Sequence, residues 1–175
     1  MKPKVLSTVL AITGCIAASC VHAATTGTLR FTGQVDAGTC NLAAGDVSRT
    51  IDLPAIKISD LDASAYAGAV NFDISADCES DIRNVTFLFT GTASSGNAAL
   101  FSNTGTSGGI GLWLAHRTTT NSTIPANGTP DQRSRTVATS NSKALLPLLA
   151  AYYKTGEAIT KGSLASAVTV SITYN

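Results

Sequence analysis

Residues 162–175 read GSLASAVTVSITYN. Leu164, Val168, Val170, Ile172 and Tyr174 share one parity, while Ser163, Thr169, Ser171 and Thr173 share the other. Strict period-two alternation in β-branched residues is the pattern of a strand with one buried face. Such a strand needs a neighbour on both sides, because an open edge invites pairing with another chain. The pattern recurs upstream. Residues 26–35 (TGTLRFTGQV) line up Gly27, Leu29, Phe31, Gly33 and Val35, and residues 69–78 line up Val70, Phe72, Ile74 and Ala76. Residues 84–93 carry Val85, Phe87 and Phe89, while residues 109–117 set Ile110, Leu112 and Leu114 against Trp113. Residues 49–56 and 143–153 are further candidate strands; the latter has helical composition, but Pro147 stands in its middle and argues against a helix. Residues 58–67 have room for one helical turn, and residues 118–134 read as a long loop or an edge-strand excursion. Short strands separated by turn residues, in a single domain, imply an all-β sandwich.

The first residues do not belong to that sandwich. Met1–Lys4 carries two lysines, Val5–Ala18 is mostly apolar and small, and Val21-His22-Ala23 supplies small residues at the right spacing for cleavage after Ala23. This is the layout of a secretory signal peptide, too short for a membrane anchor of about 20 apolar residues. The competing reading is a lipoprotein signal, since Ile12–Cys15 (ITGC) loosely resembles a lipobox. Cleavage would remove two of the 12 basic residues against 11 acidic ones. The near-neutral remainder does not suggest nucleic acid or an anionic membrane as partner.

Cys15 and Cys20 would leave with the signal, so Cys40 and Cys78 remain. In an oxidising compartment two such cysteines are expected to form a disulfide; the alternatives are two free thiols or, with His116, an incomplete metal site. Asp73, Asp77, Glu79 and Asp81 cluster around Cys78 without the glycine-containing loop of a calcium site, and are expected to be solvated charges. Arg133-Ser134-Arg135 reads as a soluble loop, and Asn121 and Asn127 stand in sequons that match glycosylation acceptors. His116 has no carboxylate or nucleophile at motif spacing. No enzyme activity, cofactor or metal is expected.

Taken in order, AATTGTLRFTGQV, Cys40 with Cys78, GIGLWL, LPLLAAYYKTG and the C-terminal strand resemble the subunits of chaperone–usher pili, close to the type 1 fimbrial family. The most specific match is an aromatic at the penultimate position, Tyr174, with a glycine fourteenth from the end, Gly162. The resemblance implies an immunoglobulin-like sandwich lacking one strand, which another polypeptide completes. It divides the chain into a signal peptide (1–23), a donor extension (24–32) and a pilin domain (33–175). Gly27, Leu29 and Phe31 would be the donor residues. Leu164, Val168, Val170, Ile172 and Tyr174, with Gly162 and Asn175, would form the acceptor groove and chaperone-binding edge, the Asn175 carboxylate being gripped by chaperone basic residues. The implied partners are a periplasmic pilus chaperone, an outer-membrane usher and neighbouring pilus subunits. The implied place is a fimbrium on the cell surface, serving adhesion or biofilm formation. The alternatives are a minor adaptor, a tip-proximal subunit or tip adhesin of the same pilus, and a secreted carbohydrate-binding β-sandwich.

Overall fold

The computed structural model describes residues 28–175, and the signal peptide expected at 1–23, with Cys15, Cys20 and Gly27, lies outside the described residues. Residues up to Val35 and residues from Asp36 onward form two separate units. In the described part of the first, residues 28–35, no strand forms despite the alternation, and Leu29, Phe31 and Val35 are exposed.

The second unit is built from eight strands and two short helices. In chain order these are β1 (Cys40–Leu42), α1 (Ile58–Ala63), β2 (Tyr66–Cys78), β3 (Asn84–Thr90), β4 (Ile110–His116), β5 (Ser122–Thr123), α2 (Pro130–Arg133), β6 (Ser134–Ala138), β7 (Lys143–Lys154) and β8 (Thr169–Tyr174). Every pairing is antiparallel. One sheet has the order β1-β2-β7-β4-β5 and the other β6-β3-β8. Alternation drives each strand's apolar parity into the space between the sheets. Val85, Phe87 and Phe89 of β3 meet Ile74 and Ala76 of β2, Leu114 of β4, and Ala144, Leu146 and Leu148 of β7 in one core. Each large side chain fully buried there contributes about 1.5–3 kcal/mol. Cys40 and Cys78 stand opposite each other in the β1–β2 ladder and are joined by a disulfide. By restricting the unfolded chain, a crosslink across 38 residues contributes on the order of 4 kcal/mol in the chain-entropy picture.

Pro147 sits in β7, between β2 and β4, where a proline would ordinarily break the ladder. Its carbonyl accepts from the Arg117 N–H at 2.9 Å. The backbone side lacking a donor therefore faces β4 just where that strand ends, at His116, and little pairing is lost.

Several expectations need correction. Residues 49–56 form no strand, although Ile51, Leu53 and Ile56 are half-buried; Pro54 removes one donor, and side chains rather than backbone meet β2 in this region. The last strand covers Thr169–Tyr174 only, because residues before it bond elsewhere: Ala165 and Ser163 carbonyls accept from Thr104 and Ser107 N–H groups. Trp113 lies on the face opposite Leu112 and Leu114, as its parity requires. It packs with Leu100, Ala115, Leu149 and Ala151 in a second cluster, beside the Tyr66 and Tyr153 rings, and its Nε1–H donates to Thr123 Oγ1 at 3.0 Å.

The polar stretch after His116 is also more ordered than its composition suggests. It holds β5, α2 and β6, with Thr129 capping α2 through a reciprocal pair with Gln132. Arg135 is a half-buried clamp rather than a solvated charge: its guanidinium donates to the carbonyls of Ser122, Thr123, Gln132 and Ser134. Asp73 and Asp77 pair with Arg117 and Lys143, and Asp81 accepts from the Gly38 N–H. Burial, and then the Arg135 charge, lower the His116 pKa from its ordinary 6.5. The unfolded chain therefore binds that proton more readily, and stability present above the ordinary value is lost as pH falls below it. Denaturant midpoints of the wild-type chain should drop between pH 7 and pH 5, and should drop less in His116→Gln.

Candidate functional site

β8 differs from every other long strand in how it is covered. It pairs with β3 in the register Val85↔Tyr174, Phe87↔Ile172 and Phe89↔Val170, and among the described residues it has no strand on its other edge. The inward side chains of the two strands should share one environment, yet they do not. Val85, Phe87 and Phe89 are 0–1% exposed, whereas Val168, Val170 and Ile172 are only partly buried and Tyr174 is 41% exposed. The outward Thr169, Ser171 and Thr173 are exposed, as alternation requires. Among the described residues, the apolar face of β8 is thus less completely covered than the apolar face of β3 beside it.

The facing wall comes from the other sheet. β1, at that sheet's edge, lies next to β8. Leu42 of β1, Phe72 of β2 and Leu112 of β4 are partly buried against the same core. These incompletely covered side chains, with Val168, Val170 and Ile172 and the unpaired backbone edge of β8, are the ones available to line an apolar cleft. Phe72 and Leu112 were legible in the sequence as members of an alternating apolar face, but not as incompletely covered, because parity reports direction and not the presence of a neighbour; Leu42 lay outside every strand expected from the sequence.

The remaining candidate residues have distinct positions. Leu164 continues the inward parity ahead of β8 and is half-buried. Gly162 is a packing glycine: φ is +159°, and an added Cβ would lie 2.4 Å from the Ser107 backbone nitrogen. At the other end, Asn175 is tied to β3. Its backbone oxygen accepts from Arg83 and Asn84, and its N–H donates to the Asn84 carbonyl. Leu29 and Phe31 are 81% and 89% exposed. No group of three or more His, Cys, Asp or Glu side chains suited to a metal occurs among the described residues. No helix among them is long and apolar enough to cross a membrane.

The family model for fimbrial proteins matches residues 29–175. The chain belongs to the fimbrial protein family. Among curated relatives, it is similar to the minor fimbrial subunit HifD of Haemophilus influenzae, 30% identical over 95% of this chain and 82% of HifD. It also resembles the fimbrial subunit ElfA of Escherichia coli K12, 31% identical over 59% of this chain, and that match spans 62% of ElfA's length. Among solved structures, a chain of a chaperone–usher pilus superposes with a TM-score of 0.63 at 18% identity, covering 87% of this chain and 98% of that one. The all-β immunoglobulin-like pilin fold expected from the sequence is thus the fold of this fimbrial subunit. The close approach at Gly162 has a direct check: Gly162→Ala should lower stability by on the order of 2 kcal/mol through overpacking, read as a shifted urea midpoint with an unchanged slope.

Proposed function

We propose that the chain is an exported structural subunit of a surface fimbria that polymerises by donor-strand exchange. The observation that carries this reading is the uneven burial across the β3–β8 ladder: dry on β3, half-wet on β8. An extended segment laid against the β8 edge would take up its free backbone groups and cover Val168, Val170 and Ile172. Strand addition of this kind draws affinity from backbone hydrogen bonds and specificity from alternate side chains.

The proposed donor is residues 24–32 of the next subunit. Its Leu29 and Phe31 would each contribute about 1.5–3 kcal/mol on burial, and each new backbone bond about 1 kcal/mol. The exposure of both side chains in residues 28–35 is consistent with a segment whose apolar face awaits a groove. Gly27, outside the described residues, would sit where the groove is tight. Before polymerisation a periplasmic chaperone would lend its own strand to β8 and hold the Asn175 carboxylate, and an outer-membrane usher would release the subunit into the fibre. The work is structural rather than catalytic. Because HifD bears the name of a minor subunit, the second reading is a minor position in the fibre, decided by the molar share of this chain in purified fimbriae.

The donor and acceptor halves separate by mutation. Phe31→Asp should leave chaperone capture intact while abolishing fibres seen by electron microscopy; normal fibres from that variant would refute the donor assignment. Ile172→Asp and Tyr174→Ala should instead lower the periplasmic level of the subunit severalfold on immunoblots, because the acceptor is spoiled before capture. Wild-type abundance of both would argue against the groove.

A further inference from the structure

β8 is not the sole place where this sandwich could accept a strand. β1 ends at Leu42, yet β2 continues for ten residues on the N-terminal side of Ala76, from Tyr66 to Ser75. That stretch has β7 on one side and no strand on the other among the described residues. An unpaired stretch of strand backbone beside an apolar cleft is a template for a second, wrong pairing.

The structure shows how the end of this edge next to β1, at Ser75 and Asp73, is covered. The last backbone bond between the two segments runs from the Ala43 N–H to the Ser75 carbonyl at 2.9 Å. In a continuing ladder, the Ser75 N–H would return to the Ala43 carbonyl. Instead the chain turns, and that carbonyl accepts from the Asp46 N–H at 2.8 Å. The Asp46 carboxylate takes the vacated place, accepting from the Ser75 N–H at 2.8 Å and from the Ser75 hydroxyl at 3.3 Å. Two residues further along, at the next backbone position facing that edge, the Asp73 carbonyl accepts from the Arg49 guanidinium at 2.7 Å. Asp46 and Arg49 are themselves paired at 3.0 Å, with the Asp46 side chain 9% exposed. The Arg49 guanidinium also stands 5.9 Å from the centre of the Phe72 ring, one of the cleft side chains.

We propose that Asp46 and Arg49 form an edge lock: their side chains imitate the next residues of β1, occupy the Ser75 donor and the Asp73 acceptor of β2 where a β1 ladder would continue, and confine strand addition to β8. They are positioning residues for assembly. The inference rests on the strand-acceptor reading of β8, and extends it by naming what makes the cleft accept a donor on one wall. A carboxylate and a guanidinium suit the task because each satisfies backbone groups with a charge-assisted bond while offering no backbone of its own to extend the sheet.

The test uses the full exported chain, a synthetic peptide of residues 24–32 as donor, and residue-resolved amide hydrogen exchange. With Asp46→Ala/Arg49→Ala, the Ser75 amide should exchange about tenfold faster, the factor set by losing one bond to a charged group. The variant should also bind a second equivalent of peptide or form oligomers that protect the 66–75 edge, while protection of β8 by the first equivalent stays as in wild type. Asp46→Asn, which keeps an acceptor for Ser75, should restore slow exchange. A double variant with wild-type Ser75 exchange and 1:1 peptide binding would overturn the lock. Failure of the peptide to protect β8 in the wild-type chain would count against the acceptor reading instead, and Ser75 exchange without peptide would still decide for or against the lock.

Discussion

Among the described residues β8 is paired along one edge only, and the contrast between a covered β3 and a less covered β8 shapes the rest of this sandwich. A strand in the middle of a sheet has its hydrogen bonds met on both edges and its inward side chains covered on both flanks. β3 enjoys this condition, with β6 and β8 beside it and Val85, Phe87 and Phe89 dry. β8 has it on one flank only, and its inward side chains remain half in water. The body is nonetheless held together elsewhere: by the disulfide joining β1 to β2, by the long β2–β7 ladder, and by a second cluster around Trp113 on the opposite face of the larger sheet. Concentrating stability away from β8 is what allows one edge to stay open.

An open edge is useful to an assembling subunit only if it is selective. Apolar side chains and free backbone groups attract any extended segment, so the cleft needs one wall that pairs and one that does not. Ending β1 at Leu42 and filling the next backbone positions of β2 with Asp46 and Arg49 meets this need with two side chains. The disulfide at Cys40 fixes where β1 begins relative to β2, and hence where the turn at Ala43–Asp46 delivers its carboxylate. Covalent constraint, strand length and edge chemistry are therefore linked.

Much of this was legible beforehand. Alternation located β2, β3, β4 and β8 and the apolar parity of each; residues 143–153 stood as a candidate strand without an assigned face, Pro147 arguing against the helix that their composition favoured; the two retained cysteines announced the crosslink. Less was legible where neighbours rather than parity decide. Residues 49–56 alternate well enough to suggest a strand, but their backbone meets no partner ladder. Residues 162–168 keep the parity of β8, yet hydrogen bonds to residues 103–107 claim them. Arg135 looked like a loop charge because nothing local reveals that four carbonyls converge on it.

Local chemistry determined the strands, their faces, the oxidised pair and the likeness to pilus subunits, because side-chain period and residue type act over a few neighbouring positions. Tertiary structure alone decided which strand lies at an edge, which apolar face stays half covered, and which distant side chains stand in for absent backbone. Those outcomes depend on what packs beside a residue across the fold, and the period of a strand carries no record of its neighbours.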